Sequence, residues 1–220
     1  GGYKDHYRVM IFSEQKAGAR ETVRASSPVA VLNGRTPAEL PAVSQGALPG
    51  DALYLTKPLG TGIMVAARAC DLVDDAGLRP AVESMMELNA AGAAALAESG
   101  VHAATDVTGF GLAGHLHELL EASGCAAALD FGALPLFEGV WDHARAYCRP
   151  NRLFTIMDQA EGYVAQGALS DEEYDNRLAV VCDPQTSGGL LAAVPPEAAG
   201  AFERAFEARA GRPAARIGRV

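Results

Sequence analysis

The segment most able to do chemistry is the glycine-rich stretch TDVTGFGLAGHLH, residues 105–117. Gly109, Gly111 and Gly114 have the GxGxxG spacing between a predicted strand and a predicted helix. Glycines let the backbone approach a ligand, and the amides and dipole at a helix start attract phosphate. Asp106 stands just before this loop, and a carboxylate there would repel phosphate unless a metal ion lay between them. The pattern therefore indicates a nucleotide phosphate site in which Asp106 binds Mg²⁺.

Two other interpretations of this stretch stay open. The GxGxxG spacing imitates a dinucleotide-binding fingerprint, but its acidic residue, Asp130, lies only 16 residues after Gly114. The chain also lacks repeated strand-helix-strand units, which favours Mg²⁺ and a nucleoside triphosphate over NAD. The other interpretation is a closely packed helix start with Asp106 as a cap or turn residue. His115 and His117 point to nearly opposite faces of the helix and are not expected to share a metal.

Two further loops combine polar residues with glycines. TKPLGTGI, residues 56–63, offers Lys57 as a phosphate contact, although the order of a Walker loop is absent and a solvated charge is the alternative. DPQTSGGLL, residues 183–191, is predicted to form a sharp turn between two apolar strands, with its glycine pair free to take positive φ. Cys182, just before it, is expected to be a buried and inert thiol because nothing basic lies beside it in sequence.

Hydrophobic periodicity and turn residues predict the elements that position these loops. Strands are predicted at 28–34, 52–58, 101–107, 125–131 and on both sides of 183–189. Helices are predicted after Ile63, over Pro80–Ser99, from the glycine stretch to Gly124, around Asp158–Ala165, and from Pro196 to Gly211 with Phe202 and Phe206 buried. The elements indicate a mixed α and β fold.

Composition and charge exclude several classes of protein. A chain of 220 residues with 49% hydrophobic residues can form one full domain, or one domain with an appended piece. The net charge is -9 and the basic residues are dispersed, so nucleic-acid binding is not expected, whereas ATP can still be held by local amides and a metal. The four cysteines form no CxxC, which argues against zinc and favours a reducing cytoplasm. Neither a membrane span nor a secretory signal is expected.

Four motifs in order, TKPLGTGI, MMELNAAG, TDVTGFGLAGH and CDPQTSGGLL, resemble the carboxy-terminal domain of selenophosphate synthetases (selenide, water dikinases). This family lies within the aminoimidazole ribonucleotide synthetase-like superfamily. The resemblance implies an α+β fold, with a three-layer α/β/α domain and a mixed sheet over residues 49–220. Residues 28–48 are then a remnant of the amino-terminal ATP-binding domain and its linker, while residues 1–27 stay unassigned.

The resemblance also implies an activity and roles for individual residues. The family makes selenophosphate from selenide, ATP and water, using Mg²⁺, and Asp106 matches a carboxylate that bridges Mg²⁺ to the ATP phosphates. The residues expected to face the phosphates are Thr105, Thr108, Gly109, Gly111 and Lys57. No catalytic residue is assigned, because the family's catalytic cysteine or selenocysteine and its neighbouring lysine have no counterpart here. The chain is therefore not expected to make selenophosphate alone, and a homodimer would form through the amino-terminal domain.

Two alternatives to an enzyme fragment stay open. The chain could be a non-catalytic, degenerate relative that acts as a binding or interaction module. It could also be a nucleotide-binding oxidoreductase that uses the GxGxxG at 109–114 with Asp130. The sequence departs from the family at residues 148–153, CRPNRL, where a glycine pair commonly precedes Arg-Asn.

Overall fold

Seven short strands form one sheet within residues 8–11 and 46–220, which are the residues described by this computed structural model. The strands are β1 (Arg8–Ile11), β2 (Ala52–Leu55), β3 (Ala103–Asp106), β4 (Ala127–Asp130), β5 (Val164–Ala165), β6 (Leu190–Val194) and β7 (Ala215–Arg219). They lie in the order β3-β6-β2-β7-β4-β1-β5, and neighbouring strands are antiparallel. The mixed sheet that was expected is therefore not seen among the described strands, and the parallel bridge between Leu59 and Leu136 lies outside them.

Eight α-helices occur in the same residues, with a 3₁₀ turn at Phe131–Ala133. They are α1 (Thr61–Ala69), α2 (Asp75–Met86), α3 (Ala90–Ser99), α4 (Gly111–Ser123), α5 (Val140–Arg145), α6 (Asn151–Ala160), α7 (Asp171–Val181) and α8 (Pro196–Ala210). Pro196 begins α8 where its missing amide is not needed, and Gly211 ends it in the left-handed conformation. Over the described ranges, none of the helices combines the length and the apolar character needed to cross a membrane.

Helices cover both faces of the sheet because strand side chains alternate between two cores. In β2, Leu53 points into the larger core, with α4, α6 and α7, whereas Tyr54 points into a second core with α3 and α8. Phe202 and Phe206 fill that second core, as predicted. A third cluster around Ile63 joins α1, α2 and α5. The predicted α+β fold with three α/β/α layers is confirmed.

The single helix predicted over Pro80–Ser99 is wrong, because the structure has two helices there. The chain leaves the helical conformation at Glu87, with φ -71° and ψ 129°, and begins α3 at Ala90. The proline lies inside α2, whose start is set earlier by Asp74, since this carboxylate accepts a hydrogen bond from the Gly77 amide at 2.8 Å. The first helix therefore extends back past the predicted start.

The strand predicted before residue 183 is also wrong, because residues 178–181 form the end of α7. All four are buried, and a buried apolar run has the same pattern in a strand as in a helix end. Residues 183–189 therefore connect a helix to β6. The helix predicted around Asp158–Ala165 starts earlier, at Asn151, and its predicted last residues form β5.

One strand of the structure was not predicted, and one predicted strand is not tested. β7 is absent from the predicted elements, because its sequence ARIGR lacks an apolar run, yet it lies between β2 and β4 in the sheet. The strand predicted at residues 28–34 lies outside the described residues.

Candidate functional site

The glycine loop, defined as residues 105–111, connects edge strand β3 to α4. It lies against the DPQTSGG loop, defined as residues 183–189. Two backbone hydrogen bonds join them: the Val107 amide donates to the Gly189 carbonyl at 2.9 Å, and the Gln185 amide donates to the Thr108 carbonyl at 3.0 Å. The position of the glycine loop is therefore set by a segment far away in sequence.

Gly111 and Gly109 serve different purposes. Gly111 has φ +68°, and a Cβ there would lie 2.7 Å from the carbonyl carbon of Cys182, so it is required for close packing against the end of α7. Among the residues that the structure describes, a Cβ on Gly109 would meet nothing nearer than the Nε of Arg152, at 4.0 Å. The packing interpretation thus accounts for Gly111 but leaves Gly109 with an open side that a ligand could approach.

The polar residues of the glycine loop occupy distinct positions. Asp106 ends β3 and is half-buried, and it is not the cap of α4, because Phe110 occupies that position without a side-chain cap. Thr105 is buried, and its hydroxyl donates to the carbonyl of Asp106 at 3.3 Å. The Thr108 hydroxyl lies 3.0 Å from the Nε2 of His115, with the donor set by the tautomer. These contacts leave the Asp106 carboxylate as the anionic group of the loop.

Asp106 could bind Mg²⁺ as a single protein ligand, with the substrate phosphates and water as the others, rather than as part of a site made of protein ligands alone. Among residues 46–220, no three His, Cys, Asp or Glu side chains are grouped closely enough to hold a metal ion. Mg²⁺ is commonly bound through one or two carboxylates together with substrate phosphates and water. A single carboxylate beside an open glycine matches that mode of binding.

The ammonium group of Lys57 is hydrogen-bonded within the protein. Its side chain is buried, and its Nζ donates to the carbonyls of Ser84 at 3.0 Å, Glu87 at 2.7 Å and Ser187 at 2.9 Å. Burial lowers the pKa of this ammonium group, whose three protons are all taken by carbonyls. Lys57 is therefore not a solvated charge, and a contact with phosphate would require it to leave these three acceptors.

The DPQTSGG loop caps α1 through side chains. The Oε1 of Gln185 accepts hydrogen bonds from the amides of Gly60 at 3.1 Å and Thr61 at 3.2 Å, and the Oδ2 of Asp183 accepts from the Gly62 amide at 3.0 Å. The Nε2 of Gln185 donates to Oδ2 of Asp183 at 2.8 Å, which holds the two side chains together. The helix start after TKPLG is thus satisfied by protein groups and is not open to phosphate.

Asp183 is a buried carboxyl that the sequence suggested only as a turn residue. It is 0% exposed, and burial raises the pKa of Asp183 to about 7, although hydrogen bonds from Gln185 and from backbone amides act in the opposite direction. Within the described residues its Oδ1 has no hydrogen-bond partner. A Cβ on Gly62 would lie 2.5 Å from this oxygen, so the glycine of TKPLGTG lets the helix start approach the carboxyl.

The glycine pair of the DPQTSGG loop permits close approach, not positive φ. Ser187 takes the positive φ, at 47°, while a Cβ on Gly188 would collide with the carbonyl oxygen of Val107. A Cβ on Gly189 would lie 2.6 Å from the amide nitrogen of Lys57. The prediction of positive φ at the pair is therefore wrong, because the backbones of three segments meet there.

Three further residues lie close to these loops in sequence or space: Asn89, Cys182 and His117. Asn89, from MMELNAAG, donates its Nδ2 to the carbonyl of Gly188 at 2.9 Å, so the other three recognised motifs all contact residues 183–189 of the fourth. Cys182 is buried at the end of α7, and burial raises the pKa of its thiol, as expected for an inert cysteine. His117 stacks on Tyr163 with ring centroids 3.9 Å apart and does not face the glycine loop together with His115.

Arg152 is a residue of the site that the sequence did not indicate. It lies in the first turn of α6, is exposed, and donates its Nε to the carbonyl of Gly109 at 3.2 Å. Its guanidinium carbon lies 5.4 Å from the centroid of the Phe110 ring. In the sequence, the segment CRPNRL was notable only as a departure from a family pattern. No local pattern predicts that it lies beside residue 109.

The sheet contradicts the dinucleotide interpretation. That fingerprint requires the strands before and after the helix to lie next to each other in a parallel sheet. Here β3 and β4 are separated by β6, β2 and β7. Asp130 caps a 3₁₀ turn by accepting the Gly132 amide at 3.1 Å, which is a structural role.

Comparison with known proteins gives a family match and close relatives. Residues 49–220 match the family model described as AIR synthase related protein, C-terminal domain. The chain is 43% identical over 163 residues to selenide, water dikinase from Aeromonas salmonicida, covering 74% of this chain and 46% of that protein. It is 45% identical over 145 residues to selenide, water dikinase from Aeromonas hydrophila, covering 66% and 40%. The resemblance predicted from the motifs is confirmed, and the chain spans less than half of these curated relatives.

Two solved structures share the fold. A crystal structure of hydrogenase maturation protein HypE in complex with ATP aligns with a TM-score of 0.54 and 21% identity, over 81% of this chain and 44% of that chain. Thiamine-monophosphate kinase from Stenotrophomonas maltophilia aligns with a TM-score of 0.52 and 16% identity, over 80% and 49%. At 21% and 16% identity, these alignments show a shared fold.

Proposed function

This chain belongs to the AIR synthase related family through its carboxy-terminal domain, and from that premise we propose that it is the carboxy-terminal part of a selenide, water dikinase. The complete enzyme would be an ATP-dependent phosphotransferase that makes selenophosphate from selenide, ATP and water. The relatives that bear this name support the proposal. The observation that carries it is that three motifs contact the DPQTSGG loop of the fourth, with Asp106 and the open side of Gly109 both on the glycine loop held there.

In this proposal the chain binds and orients the phosphates rather than supplying a nucleophile. Asp106 would hold Mg²⁺, which neutralises charge on the transferring phosphoryl groups when it is bound. The open backbone at Gly109 would let the phosphates approach the start of α4, where the helix dipole favours negative charge. Thr105 and Thr108 would shape the loop through the hydroxyl contacts described above. Lys57 is left out of the phosphate set because three carbonyls take its protons.

Inactivity of this chain by itself, a homodimer formed through the amino-terminal domain, and a cytoplasmic location belong to the same proposal. The test is a chimera in which this chain replaces the matching part of the Aeromonas salmonicida protein. We expect the chimera, and not the chain alone, to consume ATP in a selenide- and Mg²⁺-dependent manner.

Asp106→Asn in the chimera tests the metal role. We expect turnover to fall by about 100-fold and the Mg²⁺ concentration for half-maximal rate to rise, because a charged ligand is lost. Asp158→Asn is the matched control, since Asp158 is exposed on α6. If Asp106→Asn left both the rate and the Mg²⁺ dependence unchanged, the assigned role would be wrong. A chimera that bound Mg²⁺ and ATP without any turnover would favour the non-catalytic binding module instead.

A further inference from the structure

An exposed cation lies beside the open side of the glycine loop. The Nε of Arg152 donates to the carbonyl of Gly109 at 3.2 Å, and its guanidinium carbon lies 5.4 Å from the centre of the Phe110 ring. These two contacts hold the planar group against the loop, since guanidinium planes pack well on aromatic faces. In residues 46–220 neither Nη nitrogen has a hydrogen-bond or ion-pair partner. The loop therefore carries a positioned cation whose Nη donors are unpaired in the part of the chain that the structure describes.

Two other cationic side chains, Lys57 and Arg149, use their hydrogen-bond donors on protein groups. Lys57 donates all three of its protons to carbonyls. Arg149, three positions before Arg152, is buried, and its guanidinium donates to the Ala144 carbonyl at 3.1 Å and to Asp175 at 2.7 Å. Arg149 thereby ties the chain before α6 to α5 and α7. This anchoring fixes the start of the helix that carries Arg152.

The chemistry around Arg152 matches an anion. Gly109, whose carbonyl it binds, is the glycine of this loop with an open side and an ordinary φ, so packing does not explain it. Two unused Nη groups in a fixed plane match the oxygens of a phosphate, which a guanidinium can bind with two parallel hydrogen bonds. The Asp106 carboxylate on the same loop would repel phosphate, and a cation bound to this loop offsets that repulsion.

We propose that Arg152 binds the phosphate groups of a nucleoside triphosphate at the glycine loop, in the place that sequence patterns assigned to Lys57. This inference rests on the proposed function, because it takes the glycine loop to face the phosphates. Arg152 is then a binding residue for the phosphate chain.

The test uses the chimera described above, which supplies the amino-terminal ATP-binding half, and measures two ligands, ATP and inorganic tripolyphosphate, each with Mg²⁺. Binding is followed by NMR through the amide shifts of residues 109–111, up to millimolar ligand. The variants are Arg152→Gln, Arg152→Lys and the control Arg204→Gln, since Arg204 is exposed on α8 on the opposite face of the sheet. Thermal unfolding and the ligand-free amide shifts report whether each variant keeps the native loop.

We expect Arg152→Gln to weaken both ATP and tripolyphosphate by about 10- to 100-fold, with lysine restoring part of the loss, because a charge-assisted pair is removed. Arg204→Gln should change neither ligand. Arg152→Gln that bound both ligands like the wild type would overturn the inference and leave the proposed function standing. The inference would also be overturned if Arg152→Gln weakened the binding of ATP but not of tripolyphosphate. The same holds if the loop amides of the wild type shifted with ATP but not with tripolyphosphate. A wild-type chimera whose loop amides never respond to Mg²⁺ and ATP would instead overturn the proposed function, and this inference with it.

Discussion

Replacing Asp183 by asparagine should remove a pH dependence that this buried carboxyl imposes on the stability of the chain. Burial raises the pKa of Asp183 from 3.8 to about 7 in the folded protein. Between these two values the folded state keeps the proton and the unfolded state has lost it. The free energy of unfolding contributed by this group is therefore fully present below pH 3.8, falls as the pH rises, and levels off above about pH 7.

The size of the effect follows from the same two values. A shift from 3.8 to about 7 corresponds to about 4 kcal/mol, of which about 3 kcal/mol is lost between about pH 5 and pH 8. Solvent screening does not reduce this figure much, because the side chain is 0% exposed. Asparagine keeps an oxygen for the Gly62 amide but places an amide group where Oδ1 lies. That change adds a constant offset and no pH dependence.

The assay is urea unfolding of wild type and Asp183→Asn, followed by circular dichroism at several pH values. The quantity to compare is the difference between the two unfolding free energies, in which the other titrating groups cancel. We expect the variant to gain about 3 kcal/mol relative to wild type from about pH 5 to pH 8. Asp158→Asn should show no such trend. A difference that stayed constant with pH, or that moved in the wild type's favour as pH rose, would refute the argument.

Two more predictions concern the loops. Gly188→Ala should lower the free energy of unfolding by about 3 kcal/mol or more, because the new Cβ would collide with the carbonyl oxygen of Val107, whereas Gly109→Ala should cost less than about 1 kcal/mol. Equal losses in urea unfolding would contradict the different roles given to the two glycines. Lys57→Met should destabilise the chain by about 3 kcal/mol or more, since three buried carbonyls lose their donor. A stable Lys57→Met chain that had lost only ATP binding would restore the phosphate role of that lysine.

Local patterns were sufficient for elements whose signals lie within a few residues. The proline and glycine that bound α8, with Phe202 and Phe206 on one face, predicted that helix and its buried side correctly. The strand before residue 107 and the helix after the glycine loop were also predicted. The end of α7 was not, because its apolar run is buried on all sides and carries no helical period.

The candidate site could be only partly predicted for the same reason. The motif TDVTGFG by itself indicated an anion-binding loop with Asp106 in front of it, and the order of four motifs was enough to predict the family. The partners of the side chains were decided by tertiary structure. Gln185 caps a helix 125 positions away, and Lys57 binds a carbonyl 130 positions away, so a lysine that looked free for phosphate is not.

By itself, then, the sequence determined the family and predicted an anion-binding loop with a carboxylate, because these depend on residue type and local order. Only the tertiary structure decided which cation faces that loop and which glycines are needed for close packing. Both depend on contacts between segments that are far apart in sequence. Hydrophobic periodicity and turn residues are local patterns and do not predict such contacts. Arg152 beside Gly109, 43 positions earlier, is the clearest case.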